Sequence, residues 1–95
     1  MTRTDFLVHA ASDTVGVVVT EQAVSGMELT GWVMETDETI AVEATEDIPL
    51  GHKLALKDIE NGDTVVKYGH DIGKATAKIP EGDHAHVHNL KTKRW

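Results

Sequence analysis

Three times in the second half of the chain an isoleucine is followed three residues later by a glycine, and then by a short strand-like run. Ile48-Pro49-Leu50-Gly51 precedes Lys53-Leu54-Ala55, Ile59-Glu60-Asn61-Gly62 precedes Thr64-Val65-Val66, and Ile79-Pro80-Glu81-Gly82 precedes His84-Ala85-His86. Ala23-Val24-Ser25-Gly26 is a looser fourth copy. Glycine at a fixed place in a turn supplies a positive φ, and the isoleucine before it anchors the turn to a core. Pro49 and Pro80 follow the isoleucine, where a missing N–H costs little. The three clear copies start 11 and 20 residues apart. The spacing is too uneven for a solenoid and reads instead as one hairpin device used repeatedly.

The runs between these turns are β in character. Residues 13–19 (DTVGVVV), 28–34 (ELTGWVM), 39–44 (TIAVEA), 53–57 (KLALK), 64–68 (TVVKY) and 84–88 (HAHVH) are short, rich in β-branched residues and bounded by Gly, Pro, Asn and Asp. No stretch of eleven or more residues keeps a 3.6-residue apolar period, although one helical turn fits near residues 56–62, LKDIENG. His70, between Gly69 and Asp71, reads as a loop residue. With 95 residues the chain is expected to be a single domain, 1–95, around one modest core. Aromatic residues are 4% of the chain, so that core is mostly aliphatic.

There is no cysteine, which excludes disulfide scaffolds and thiolate metal sites. The apolar stretch near the start is too short for a signal peptide, and no run approaches the ~20 apolar residues of a membrane helix. A soluble cytoplasmic protein without a membrane partner is the expectation. The net charge of −7 is uneven. Residues 1–47 carry one basic residue, Arg3, and ten acidic ones; residues 48–95 carry eight basic and six acidic residues and five of the six histidines. The acidic half argues against a nucleic-acid partner, and the other half would attract a small anion. There is no phosphate-binding loop, dinucleotide fingerprint or Gly-x-Ser-x-Gly nucleophile motif.

The histidines are the chemically suggestive residues. His84, His86 and His88 alternate with Ala85 and Val87, so on a strand they share one face. Neutral imidazole is a common metal ligand, and two such histidines would need further ligands from elsewhere. The alternative is a polar, solvent-facing edge strand. His84, nearest the turn at Gly82-Asp83, is expected to be the merely exposed one. His52 follows a turn glycine, where a lone histidine is more often a surface residue. His9, between apolar neighbours, suits a buried, hydrogen-bonded position. Tyr68, the only tyrosine, divides between packing and function, while Trp32 and Trp95 suit packing or an interface.

Residues 48–90 carry Gly51-His52-Lys53, Ile59-x-x-Gly62, Val66-x-Tyr68-Gly69, Ile72-Gly73 and His86-x-His88-Asn89. In this pattern the segment resembles the small N-terminal domain of the altronate and galactarate dehydratase family, and residues 1–47 resemble it more loosely. In those dehydratases the domain is fused to a large catalytic region. The length of the present chain, with DTVGVVV and LTGWVMETDETI, looks more like the branch of sulfolactate-cleaving lyases in which a free small subunit works beside a large one. The resemblance implies a mostly β, SAF-type β-clip fold of short strands and long hairpins, in agreement with the strand-and-turn pattern. It also implies lyase chemistry on a small anionic hydroxy acid, with ferrous iron as cofactor and a large catalytic subunit as partner.

Carried over residue by residue, the resemblance marks His52, Tyr68, His86, His88 and Asn89 as the polar motif, and His84 has no counterpart in it. His86, His88 and Tyr68 are the expected catalytic residues, with His86 and His88 also the expected metal ligands. His52, Lys53 and Asn89 are the expected substrate-binding residues, and Lys53, Lys67 and Asn89 are local partners for a sulfonate. A sugar-acid dehydratase subunit, a non-catalytic binding module and a small metal-binding protein are the competing readings, because a fold does not fix a function.

Overall fold

The computed structural model describes residues 4–21, 23–67, 70–85 and 89–92. The four Ile-x-x-Gly-type segments organise everything in it. Gly26, Gly51, Gly62 and Gly82 all have φ between 85° and 90°. In each copy the residue after the glycine donates its N–H to the carbonyl of the residue after the Ala or Ile: Met27 to Val24 (3.1 Å), His52 to Pro49 (3.0 Å), Asp63 to Glu60 (2.9 Å) and Asp83 to Pro80 (3.0 Å). A three-residue closure with glycine at positive φ in its third position is a type II turn. The leading residues Ala23, Ile48, Ile59 and Ile79 are all buried.

The turns join nine strands among the described residues: β1 (Phe6–Val8), β2 (Val15–Val18), β3 (Glu28–Val33), β4 (Glu38–Glu43), β5 (Lys53–Ala55), β6 (Thr64–Lys67), β7 (His70–Ala75), β8 (His84–Ala85) and β9 (Leu90–Thr92). Six form a sheet in the order β4-β3-β1-β2-β5-β8, and three a sheet in the order β6-β7-β9. All pairings are antiparallel except β1 with β3. The mostly β architecture expected from the sequence is what the chain adopts. Three strands were not evident in the sequence: β1, β7 and β9. His70 opens β7 and is not a loop residue, and the segment near residues 56–62 forms bends and a turn in place of a helical turn. The pairing carries Ile59 opposite Ile79 in an isolated antiparallel bridge.

The repeated turns pair two by two and build the same unit twice. Ile48 donates to Ala23 (2.8 Å) as Ile79 donates to Ile59 (2.7 Å). Gly26 donates to Ala44 (2.7 Å) as Gly62 does to Ala75 (2.8 Å), and Gly51 to Val18 (2.8 Å) as Gly82 to Ala55 (2.9 Å). The residue after the second turn answers in both cases: Val18 donates to the His52 carbonyl (2.9 Å) and Ala55 to that of Asp83 (3.0 Å). The aspartate before an isoleucine also locks the facing turn. Asp47 accepts from Ser25 N–H and Asp58 from Glu81 N–H, both at 2.9 Å. Each unit is therefore a strand, a turn, a hairpin (β3–β4 or β6–β7), a second turn and a closing strand. β5 closes the first unit and opens the second.

The expectation of one core gives way to two apolar clusters. One gathers Phe6, Val8, Val18, Leu29, Val33, Val42, Ile48 and Leu54; the other Val15, Ala55, Ile59, Val65, Ala75, Ile79, Ala85 and Leu90. Side chains alternate across a strand, so β2 sends Val18 to one cluster and Val15 to the other, and β5 does the same with Leu54 and Ala55. Both faces of these two strands are covered, which explains the near-continuous valine run at 15–19. The single phenylalanine is fully buried, and its ring lies where a Cβ on Gly31 would come within 2.1 Å. Thr14 ties the second hairpin to β2, donating its N–H to Val66 O (2.9 Å) and accepting from Val66 N–H at Oγ1 (2.9 Å).

Gly62→Val and Gly82→Val should damage folding unequally. Both positions have φ +90°, and a β-branched residue there costs about 1–3 kcal/mol. At Gly62 a Cβ meets nothing within 4 Å, whereas at Gly82 it would sit 2.1 Å from the Glu43 carbonyl oxygen. Thermal melts should show Gly82→Val well below Gly62→Val, with both below the parent chain.

Candidate functional site

The second turn of the first unit delivers His52 to the start of β5 with its backbone fixed on both sides, N–H to Pro49 and carbonyl from Val18. β8 pairs antiparallel with β5, Lys53 opposite Ala85 and Leu54 opposite His84. His52 lies two residues before Leu54, so it is the diagonal neighbour of His84 on one face of the sheet, within reach of a long side chain. The imidazoles meet: His52 Nδ1 lies 2.7 Å from His84 Nε2, with ring centroids 4.9 Å apart and planes tilted by 41°. Two ring nitrogens at this distance share one proton, one acting as donor and the other as acceptor.

Both rings are half-buried. The exposure expected for His84 is therefore not found, because its neighbour across the strand pair is the fully buried Leu54 and its ring rests against His52. Its main chain is held as well. His84 N–H donates to Glu46 Oε1 (2.7 Å), and Asn89 Nδ2 donates to the His84 carbonyl (2.8 Å). The Thr45 hydroxyl donates to the Asp83 carboxylate, which secures the turn just before. Glu46 escaped the sequence reading because nothing in its spacing announces a partner 38 residues away.

Lys53 follows His52 and opens β5, with Val17 on one side and Ala85 on the other, and strand alternation sends its side chain to the face opposite that of His52 and His84. Burial holds its pKa below the ordinary lysine value, and the nearby Lys67 ammonium adds to the depression. Lys67 ends β6, opposite His70. Two cations close enough to repel each other form a place where an anion is welcome. Of the residues expected to act, the structure thus brings His52 and Asn89 to His84, while Lys53 lies near Lys67 on the other face of β5. Tyr68, His86 and His88 lie outside the described residues, as do Gly69 and Trp95. His9, expected to be buried, is exposed. Trp32 is partly exposed and donates Nε1–H to Asp37 Oδ1 at 2.8 Å.

Among the described residues no three His, Asp or Glu side chains converge as a metal site. The His52–His84 contact has the length of a hydrogen bond between its facing nitrogens. Two nitrogens bound at about 2.0–2.1 Å to one tetrahedral ion stand roughly 3.3 Å apart, and these are at 2.7 Å. The contact is a hydrogen bond.

Residues 4–93 match the altronate/galactarate dehydratase SAF domain, and the chain belongs to that family. Its relatives include a protein of Chromohalobacter salexigens named (2R)-sulfolactate sulfo-lyase subunit alpha, 54% identical over 91 residues, which span 96% of this chain and 97% of the relative. A protein of the same name from Paracoccus pantotrophus is 49% identical over 63 residues, 66% of this chain and 94% of the relative. Altronate dehydratase of Bacillus subtilis is 49% identical over 53 residues, 56% of this chain but 11% of that much longer enzyme.

The two causes acting on Lys53 can be separated. Lys67→Met removes the smaller one and leaves the burial, so the Lys53 pKa should rise part of the way toward its ordinary value. Titration of the Lys53 side-chain resonances by NMR in the two proteins measures the change. A full return to the ordinary value would reverse the ranking of the two causes.

Proposed function

We propose that the chain is the small subunit of a two-subunit lyase that cleaves (2R)-3-sulfolactate to pyruvate and hydrogensulfite in the cytoplasm. The observation that carries this reading is the 54% identity to a sulfolactate sulfo-lyase subunit alpha over 97% of that protein's length. The shorter similarity to altronate dehydratase supports the wider class, elimination from a small anionic hydroxy acid.

The reaction is demanding because the proton to be removed sits on C2, beside a carboxylate that resists further negative charge. A base takes that proton, the C3–S bond breaks, and sulfite leaves with the bonding electrons. The enol that remains becomes pyruvate, and the proton count closes on hydrogensulfite. Lys53 and Lys67 supply positive charge for the sulfonate or the carboxylate, and the low hydration of a half-buried ammonium strengthens that attraction. His52, on the other face of β5, and Asn89 are the hydrogen-bonding substrate contacts of this reading. Tyr68 and one of His86 and His88 carry proton transfer, and the other histidine would ligate ferrous iron. Bound iron would act as a Lewis acid toward the carboxylate and the 2-hydroxyl. The large subunit supplies the rest of the coordination and the remainder of the pocket.

Sulfite release from (2R)-3-sulfolactate should require both chains. The purified small subunit, with ferrous iron added, is expected to give no turnover, and activity is expected on addition of the large subunit. Turnover by the small chain alone would refute the two-subunit reading. In the reconstituted enzyme His86→Ala and His88→Ala should each lower kcat by about 10²–10⁴-fold, the usual loss when a general acid or base is removed.

A further inference from the structure

We infer that His84 is a positioning residue for His52, selecting the tautomer and ring orientation with which His52 meets the substrate; this rests on the proposed lyase site. The contact joins Nδ1 of His52 to Nε2 of His84 at 2.7 Å. An imidazole whose Nδ1 is engaged this way has only one state to offer at its other nitrogen. If His52 donates through Nδ1, its Nε2 presents a lone pair; if it accepts, its Nε2 presents an N–H. The partner therefore decides whether His52 faces a substrate as acceptor or as donor. It also prevents the ring flip that would exchange the two.

The surroundings show that His84 is built to hold still. Its N–H is taken by Glu46 Oε1 at 2.7 Å and its carbonyl by Asn89 Nδ2 at 2.8 Å. Its Cα stands opposite that of the fully buried Leu54, and the preceding Asp83 carboxylate accepts from Thr45. His52 is fixed just as firmly at its own backbone by Pro49 and Val18. Both rings thus project from hydrogen-bonded main chain, and the proton held between them fixes what each ring presents at its other nitrogen. A histidine that served only to solvate an edge strand would need none of these anchors. The segment after Ala85 leads to the motif residues His86 and His88, so a displaced His84 would also act on the candidate site through its backbone. The substitutions below separate that effect from the ring contact.

The test uses His84→Ala and His84→Gln in the full chain. The glutamine amide can place a nitrogen near the imidazole Nε2 position and keep a hydrogen bond to His52; alanine cannot. With 15N-labelled histidine, the parent chain should show His52 in one tautomer. His84→Ala should show a mixture, and His84→Gln should return His52 to a single form. In the assembled two-subunit enzyme, His84→Ala should lower kcat by about 10–100-fold, the scale on which small misplacements act, with KM changed far less, and His84→Gln should recover most of the loss. An unchanged His52 tautomer in a folded His84→Ala chain would overturn the inference. So would a normal kcat despite a mixed tautomer, or a glutamine variant as impaired as the alanine one when both melt like the parent. If the parent enzyme releases no sulfite from sulfolactate, the functional reading fails separately, and the tautomer measurement still decides whether His84 positions His52.

Discussion

The hydrogen bond from a turn glycine's N–H to a neighbouring chain is the contact on which the rest of this protein hangs. It occurs four times, Gly26 to Ala44, Gly51 to Val18, Gly62 to Ala75 and Gly82 to Ala55. A glycine at positive φ is what aims each N–H outward from its turn. The turns then face each other in pairs through the isoleucine amides, and in each pair one turn is capped by the aspartate that precedes the other. With so few aromatic residues, the chain cannot rely on large side chains to fix the geometry. Backbone pairing supplies the definition, and aliphatic side chains fill the spaces it leaves.

The site grows from the same contacts. His52 is the residue after one turn glycine, Asp83 the residue after another, and His84 follows it. The two equivalent turns deliver residues of different chemistry to neighbouring strands, and the antiparallel register of β5 and β8 turns a diagonal relation into a ring-to-ring hydrogen bond. The second hairpin brings Lys67 near Lys53, held there by Thr14 on Val66. A framework of repeated backbone bonds thus carries an unrepeated set of side chains.

Much of the framework was legible in the sequence because turn glycines and β-branched runs are local signals. The Ile-x-x-Gly copies proved to be equivalent turns, and the strands at 28–34, 39–44 and 64–68 lie where the composition put them. What local signals do not carry is pairing. β1, β7 and β9 are short, and Phe6 becomes a strand residue only because Gly31 makes room for its ring on β3. That Asp47-Ile48 and Asp58-Ile59 share a dipeptide was visible in the sequence, but each aspartate's role lies on the facing turn. At the site, the resemblance singled out His52 and Asn89, and the geometry joins both to His84, which the motif had set aside. Glu46 was invisible for the same reason: a carboxylate that holds a distant amide leaves no periodic trace.

The shared strand β5 has a consequence for how the molecule can come apart. Leu54 closes one apolar cluster and Ala55 the other. Separating the two units by a cut in the chain would leave one of them without a wall, whichever side kept the strand. Two structurally equivalent halves are thus fused past the point of independence. The histidine and lysine at the head of the strand ride on a segment that neither half can release without exposing its own interior.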